Sequence, residues 1–135
     1  MTRFAIDAPV ALRLIRDGRS AVDEQQLVAP ALLRSDVLAQ LYTEVRSGGL
    51  DEKTARRHLE GLTELRIRLL GDRVSRATAW KIAIRLDWPL IGPAEYLAVA
   101  SLQADVLVTE DARLIEGATG IVATVPYAEL RPFDE

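Results

Sequence analysis

The segment Asp105-Val-Leu-Val-Thr109 constrains the fold more than any other. Its apolar core does not alternate with polar residues. A strand with that pattern is buried on both faces, as in parallel sheets covered by helices. Parallel neighbours need crossover connections, usually helical. The rest of the chain supplies them. "RFAID" (3–7) reads as a short strand ending in acid, and "APVALRLIRDG" follows with Val10, Leu14 and Ile15 at helical spacing and Gly18 as the stop. "QLVA" (26–29) reads as a second strand, with Pro30 placed in the first turn of the next helix. Leu33, Val37, Leu41 and Val45 then form a four-residue apolar stripe that ends at Gly48-Gly49. "DEKTARRHLEGLTELR" opens with acids and turns Leu59, Leu62 and Leu65 inward, so 31–66 is expected to be a helical hairpin.

"IRLL" (67–70) reads as a third strand. "DRVSRATAWKIAIRLDW" reads as a helix with Ala77, Trp80, Ala83 and Ile84 inward, and a further helix starts near Pro93. "IVATV" (121–125) is a fifth strand closed by Pro126, and 127–135 reads as a short tail. The expectation is an α/β fold: one domain over 1–135, with a mostly parallel five-stranded sheet flanked by helices on both faces. Ligands of such sheets bind beyond the carboxyl ends of the strands, where strand order reverses.

Composition narrows the chemistry. With no cysteine and one histidine, His58, thiolate and multi-histidine metal sites are excluded. A metal would be held by oxygen, which points to Mg²⁺ or Mn²⁺. The net charge of −3 is not that of a protein coated for nucleic acid. Local basic patches remain, at Arg66, Arg68 and Arg73 and at Arg76, Lys81 and Arg85. Such arginines serve as solvated helix faces or as a phosphate-binding surface. No run reaches the roughly 20 apolar residues of a membrane span, and the opening residues lack a leader's pattern, so a cytoplasmic protein is expected.

Four carboxylates are candidates for one site. Asp7 ends the first strand, Asp36 lies in the second turn of the helix after Pro30, Glu95 lies in the first turn of its helix, and Asp111 follows "LVT". Each has an ordinary explanation: Asp7 and Asp111 can cap helices, Asp36 can face solvent, and Glu95 favours a helix N-terminus. Their order along the chain, strand-Asp, helix-Asp, helix start, strand-Thr-x-Asp, is harder to explain by capping.

That order resembles the PIN domain family, and in particular the VapC-type toxins of bacterial toxin–antitoxin systems. The resemblance runs through "FAIDAPVALRLI", "LVAPALLRSDVL" and "PAEYLAVASLQADVLVTEDARL". The last piece is the most specific: Ala94, Tyr96, Ala98 and Ala100 match the family's D-A-x-Y-x-A-x-A helix, and Thr109 and Asp111 match its T-x-D. The resemblance implies a Mg²⁺- or Mn²⁺-dependent ribonuclease acting on RNA, inhibited by a cognate VapB-like antitoxin and often a homodimer. It assigns metal and catalytic roles to Asp7, Asp36 and Asp111. Asp36 stands where glutamate is usual, and Pro93 stands where the family has its third acid. Glu95, two positions on, is turned by about 200°, so it is at best a weak ligand. Pro9 is a further departure, since many relatives have serine or threonine there.

Arg34 and Arg113 are candidates for phosphate contact, and Thr109 for a bond to Asp111 or to a water in the site. Leu38, Leu41 and Tyr42 are candidate antitoxin contacts, with core packing as the alternative. Two rival readings stand beside the enzyme. One is a degenerate PIN domain that binds a partner and cleaves nothing, supported by Pro93. The other is a receiver-like domain, which calls for a lysine after the last strand that "IVATVPYAEL" lacks.

Overall fold

The computed structural model describes residues 2–19 and 25–130. Five strands form one fully parallel sheet in the order β3-β2-β1-β4-β5. They are β1 (Thr2–Ile6), β2 (Gln25–Pro30), β3 (Ile67–Leu70), β4 (Val106–Val108) and β5 (Ala123–Val125). The helices are α1 (Ala8–Arg16), α2 (Leu33–Arg46), α3 (Glu52–Glu64), α4 (Arg73–Leu86), α5 (Gly92–Gln103) and α6 (Ala112–Gly117). The chain moves from β1 outward to β3, then crosses back to β4 on the other side of β1. Right-handed crossovers therefore put α1–α3 on one face of the sheet and α4–α6 on the other. The packing agrees: α1, α2 and α3 contact one another, and α4 packs on α5, which lies across β1, β2 and β4. Strand order reverses between β1 and β4, where Ile6 pairs with Val108.

The core follows the expected stripes in part. Leu33, Val37 and Leu41 are buried beneath α2, and Leu27, Val28, Leu107 and Val108 fill the sheet. The helical hairpin forms, and Arg16 of α1 ties to Glu44 of α2 at 2.7 Å. Helix α5 buries Ala94, Tyr96, Leu97, Ala98, Val99 and Ala100, as a central helix must.

Three placements differ from the sequence expectation. Pro30 is the last residue of β2, paired with Leu70, and α2 begins only at Leu33. The Ala31 N–H bonds to Leu70 O, so an N–H at position 30 would face β1. The pairing of β1 with β2 stops at Ala5 and Val28, so the proline's missing donor is not needed. Asp36 consequently sits in the first turn of α2, not the second. On α4 the buried residues are Ser75, Ala79, Ile82 and Ala83. Ala77 is exposed, and Trp80 and Ile84 are 66% and 69% exposed. Three of the four buried residues are small, which suits the close packing of α4 on α5, and Val74, Trp80 and Ile84 are left exposed. The segment expected as a tail also packs back. Tyr127 and Leu130 are buried, while 131–135 lie outside the described residues.

One glycine has a purely steric reason. A Cβ on Gly117 would lie 2.6 Å from Trp88 Cζ2 and 2.8 Å from its Cη2. Gly117→Ala is expected to lower stability by about 1–3 kcal/mol through overpacking, measured by urea unfolding. An unchanged midpoint would show that the indole moves aside freely.

Candidate active site

Asp7 and Asp111 follow the two strands that flank the switch point, and each also caps a helix. Asp7 Oδ1 accepts from the Val10 N–H at 3.1 Å, starting α1. Asp111 Oδ1 accepts from the N–H groups of Arg113 (2.8 Å) and Leu114 (3.2 Å), starting α6. The capping explanation is therefore true of both, but it uses only part of each carboxylate. Asp7 is 4% exposed, and its Oδ2 accepts a 2.6 Å bond from the Thr109 hydroxyl. Thr109 Oγ1 in turn accepts from the Asp111 N–H at 3.1 Å. Thr109 thus bonds Asp7 and the Asp111 backbone, not the Asp111 carboxylate. It links the two strand ends in one chain of hydrogen bonds.

Burial raises the Asp7 carboxyl above its ordinary range. The Thr109 and Val10 bonds oppose that shift, and the nearby Asp111 charge adds to it. A buried acid beside a second acid is an arrangement that a cation would relieve.

Asp7, Asp36 and Asp111 line one open cavity of about 470 Å³. Asp36 comes from α2, and its Oδ2 accepts a 2.6 Å bond from the Tyr96 hydroxyl of α5. Burial first, and then the bond to Asp36, push Tyr96 far above its usual range, so it stays a donor. Pro93 and Arg113 line the same cavity, and Leu90 and Ile91 form an apolar rim. Glu95 does not line it. It is raised by partial burial and then by the Asp36 charge, but it lies off the cavity wall, as the helical rotation from Pro93 requires.

Tyr96→Phe is expected to lower stability by about 1 kcal/mol, because Asp36 is partly exposed and water replaces the lost donor. A loss above 3 kcal/mol in denaturant titration would instead place the hydroxyl in a buried network.

The donor set is all oxygen and anionic, which fits a hard divalent ion. Among the described residues no group of three acidic or histidine side chains is gathered tightly enough to hold a metal by itself. Asp7 and Asp111, with Asp36 lining the same cavity, are the residues that would hold such an ion.

The remaining candidates separate. Arg34 is not at the acids. It lines a second, apolar groove with Leu38, Leu59, Leu62 and Leu65 beside β3. Leu38 and Tyr42 are exposed, at 54% and 64%, whereas Leu41 is core. Leu41 is therefore corrected from partner contact to packing residue. The sequence reading missed Tyr96 as the Asp36 donor, although it stands in the matched helix motif. It also missed Arg13 and Tyr127, which line a second cavity that Asp7 and Asp111 also border. No local pattern marks them, because they are 114 positions apart by their numbers. No described helix is long and apolar enough to cross a membrane.

Known structures share this architecture. A crystal structure of PAE2754 from Pyrobaculum aerophilum superposes with a TM-score of 0.71 at 22% identity, over 96% of this chain and 93% of that one. VapBC-1 from nontypeable Haemophilus influenzae gives 0.61 at 14% identity, over 93% and 98%. VapBC2 from Rickettsia felis, bound to a DNA fragment from its promoter, gives 0.59 at 15% identity, over 92% and 98%. No family model matches the sequence, and no curated protein matches it. At these identities the likeness is one of fold.

Proposed function

Starting from a PIN-like, VapC-like fold, we propose that the chain is a divalent-metal-dependent ribonuclease toxin inhibited by a VapB-like antitoxin. The observation that carries this reading is the Asp7–Thr109–Asp111 chain at the strand-order switch, with Asp36 across the same cavity. Two of the similar structures are VapBC complexes, which agrees with a partner protein.

A Mg²⁺ or Mn²⁺ ion, when bound, supplies a Lewis acid for a phosphoryl oxygen. The chain's own residues position it. Thr109 and the Val10 N–H fix both Asp7 oxygens in direction, so the carboxylate cannot swing away. Asp111 is anchored through Oδ1 alone, and Oδ2 is left for a ligand. Tyr96 holds Asp36 by one oxygen in the same way. Arg113, on the cavity wall, is placed to bind a phosphate of the strand. The apolar groove with Leu38 is the antitoxin's seat in this reading. The exposed α4 face of Val74, Trp80 and Ile84 is an apolar surface on which a homodimer would form.

The test is cleavage of a random-sequence single-stranded RNA pool by purified protein in Mn²⁺. Cleavage is expected to stop with EDTA and in Asp111→Asn. Full-rate cleavage by Asp111→Asn would defeat the mechanism.

A second reading is favoured by one observation: Pro93, which stands where the resemblance calls for an acid, lines the cavity. In that reading the fold is a non-catalytic module that keeps its partner. Absence of any calorimetric heat at millimolar Mn²⁺ would select it.

A further inference from the structure

Asp7, Pro9 and Asp111 line not one cavity but two. The second, of about 240 Å³, shares these three residues and is otherwise lined by Val10, Arg13, Glu110 and Tyr127. Each cavity holds one arginine, Arg113 in the first and Arg13 in the second.

Arg13 is positioned by its surroundings. Its guanidinium lies 4.2 Å from the centroid of the Tyr127 ring, within cation–π range. The ring is itself fixed: its hydroxyl donates to Asp17 Oδ2 at 2.7 Å, and the Tyr127 N–H donates to Glu110 Oε2 at 3.1 Å. A second guanidinium, that of Arg19, lies 5.1 Å from the ring centroid. Against this, the ionic partner of Arg13 is weak. Glu110 is 3.5 Å away, and both side chains are more than half exposed. Such a pair contributes little and yields readily to a better anion. Arg13 is therefore held in direction by the ring while its charge is hardly spent.

We infer that Arg13 forms a phosphate subsite, so that a single RNA strand passes through both cavities. The reacting phosphodiester then sits at Asp7 and Asp111, with one flanking phosphate at Arg113 and the other at Arg13. The inference rests on the ribonuclease reading and extends it: it gives the strand a path and assigns Arg13 to binding. Guanidinium suits the task because its planar fork takes a phosphate by two bonds while its face stays on the ring. Lysine offers a point charge with no stacking face of that kind.

The experiment measures binding of fluorescein-labelled 12-nucleotide polyuridine RNA by anisotropy, across NaCl concentrations and with Ca²⁺ in place of Mn²⁺. Wild type, Arg13→Gln and Arg13→Lys are compared, with thermal unfolding to show that all three fold. Arg13→Gln is expected to weaken binding about tenfold and to lower the salt slope by about 0.7, the value for one single-strand phosphate contact. Arg13→Lys should recover the slope and only part of the affinity. An unchanged affinity and slope in Arg13→Gln would overturn the inference. If Mn²⁺ still binds the wild type and not Asp7→Asn, the metal site stands in that case and only the subsite falls. A wild type that binds neither Mn²⁺ nor RNA overturns both.

Discussion

Asp7→Asn is expected to stabilise the metal-free protein at neutral pH while abolishing its response to metal. Asp7 is a buried carboxylate whose ionised form is opposed by burial and by the Asp111 charge. Asparagine keeps the acceptor for the Val10 N–H. Its amide nitrogen can donate to Thr109 Oγ1, whose proton then turns elsewhere. The charge is lost and the packing stays, so Tm in EDTA should rise by about 3–5 °C for about 1 kcal/mol in a chain of this size. The pH dependence fixes the cause. A carboxyl raised in the folded state binds its proton more tightly there than in the unfolded chain. Wild-type stability therefore falls as pH rises from the ordinary aspartate range through the raised folded value. The advantage of Asp7→Asn should be complete above that window and vanish below it. Metal reverses the order. At 100 times its dissociation constant, Mn²⁺ stabilises a binding protein by about 2.7 kcal/mol, and the variant should gain almost nothing. Affinity should fall by more than the about 10–100-fold that follows loss of an outer-shell partner. Scanning calorimetry in EDTA and in Mn²⁺, at several pH values, reads all of these. A variant less stable than wild type at pH 7 would mean that Asp7 is only a helix cap.

Capping and metal binding were set against each other in the sequence, and the structure removes the conflict. Asp7 and Asp111 cap their helices through one oxygen because they follow parallel strands, and that same position brings them to the switch point. The strand-to-helix rhythm and the unbroken apolar run of β4 were enough to read the sheet and to bring Asp7 and Asp111 together. The α4 face was misread in part, because hydrophobicity alone does not fix which stripe of α4 meets α5. Ala83 is buried as expected, together with Ala79 and Ile82, whereas Trp80 and Ile84 are exposed. Pro30 was misread because proline suits both a helix start and an unpaired strand end, and only its pairing with Leu70 and the end of the β1–β2 pairing at Val28 decide between them. Tyr127 was out of reach for another reason. It meets Asp17 across 110 positions, and no local pattern carries information over that span.

Pro93→Asp is expected to tighten Mn²⁺ binding by at least about tenfold, or about 1.4 kcal/mol, and to destabilise the protein when metal is absent. Position 93 lies on the wall shared with Asp7, Asp36 and Asp111, in the first turn of α5. The backbone tolerates the exchange. The first N–H groups of a helix have no partner within it, and an acid there is favoured by the helix dipole. Without metal, however, the new carboxylate adds negative charge to a cavity whose most buried acid is already raised. Its neighbours should shift upward again, and Tm in EDTA should drop. With metal, the same charge becomes a ligand or repels less than it attracts, and Tm should exceed that of the wild type. Opposite signs in EDTA and in Mn²⁺ are what separate a restored ligand from a merely altered helix start. If Pro93→Asp also raises RNA cleavage, the wild-type cavity is a weakened nuclease site. If metal affinity does not change, the carboxylate at position 93 does not reach the ion, and Asp7, Asp36 and Asp111 must account for all binding. If affinity rises and RNA remains intact, the ion is recovered without the reaction, and the non-catalytic reading gains the ground that the enzyme loses.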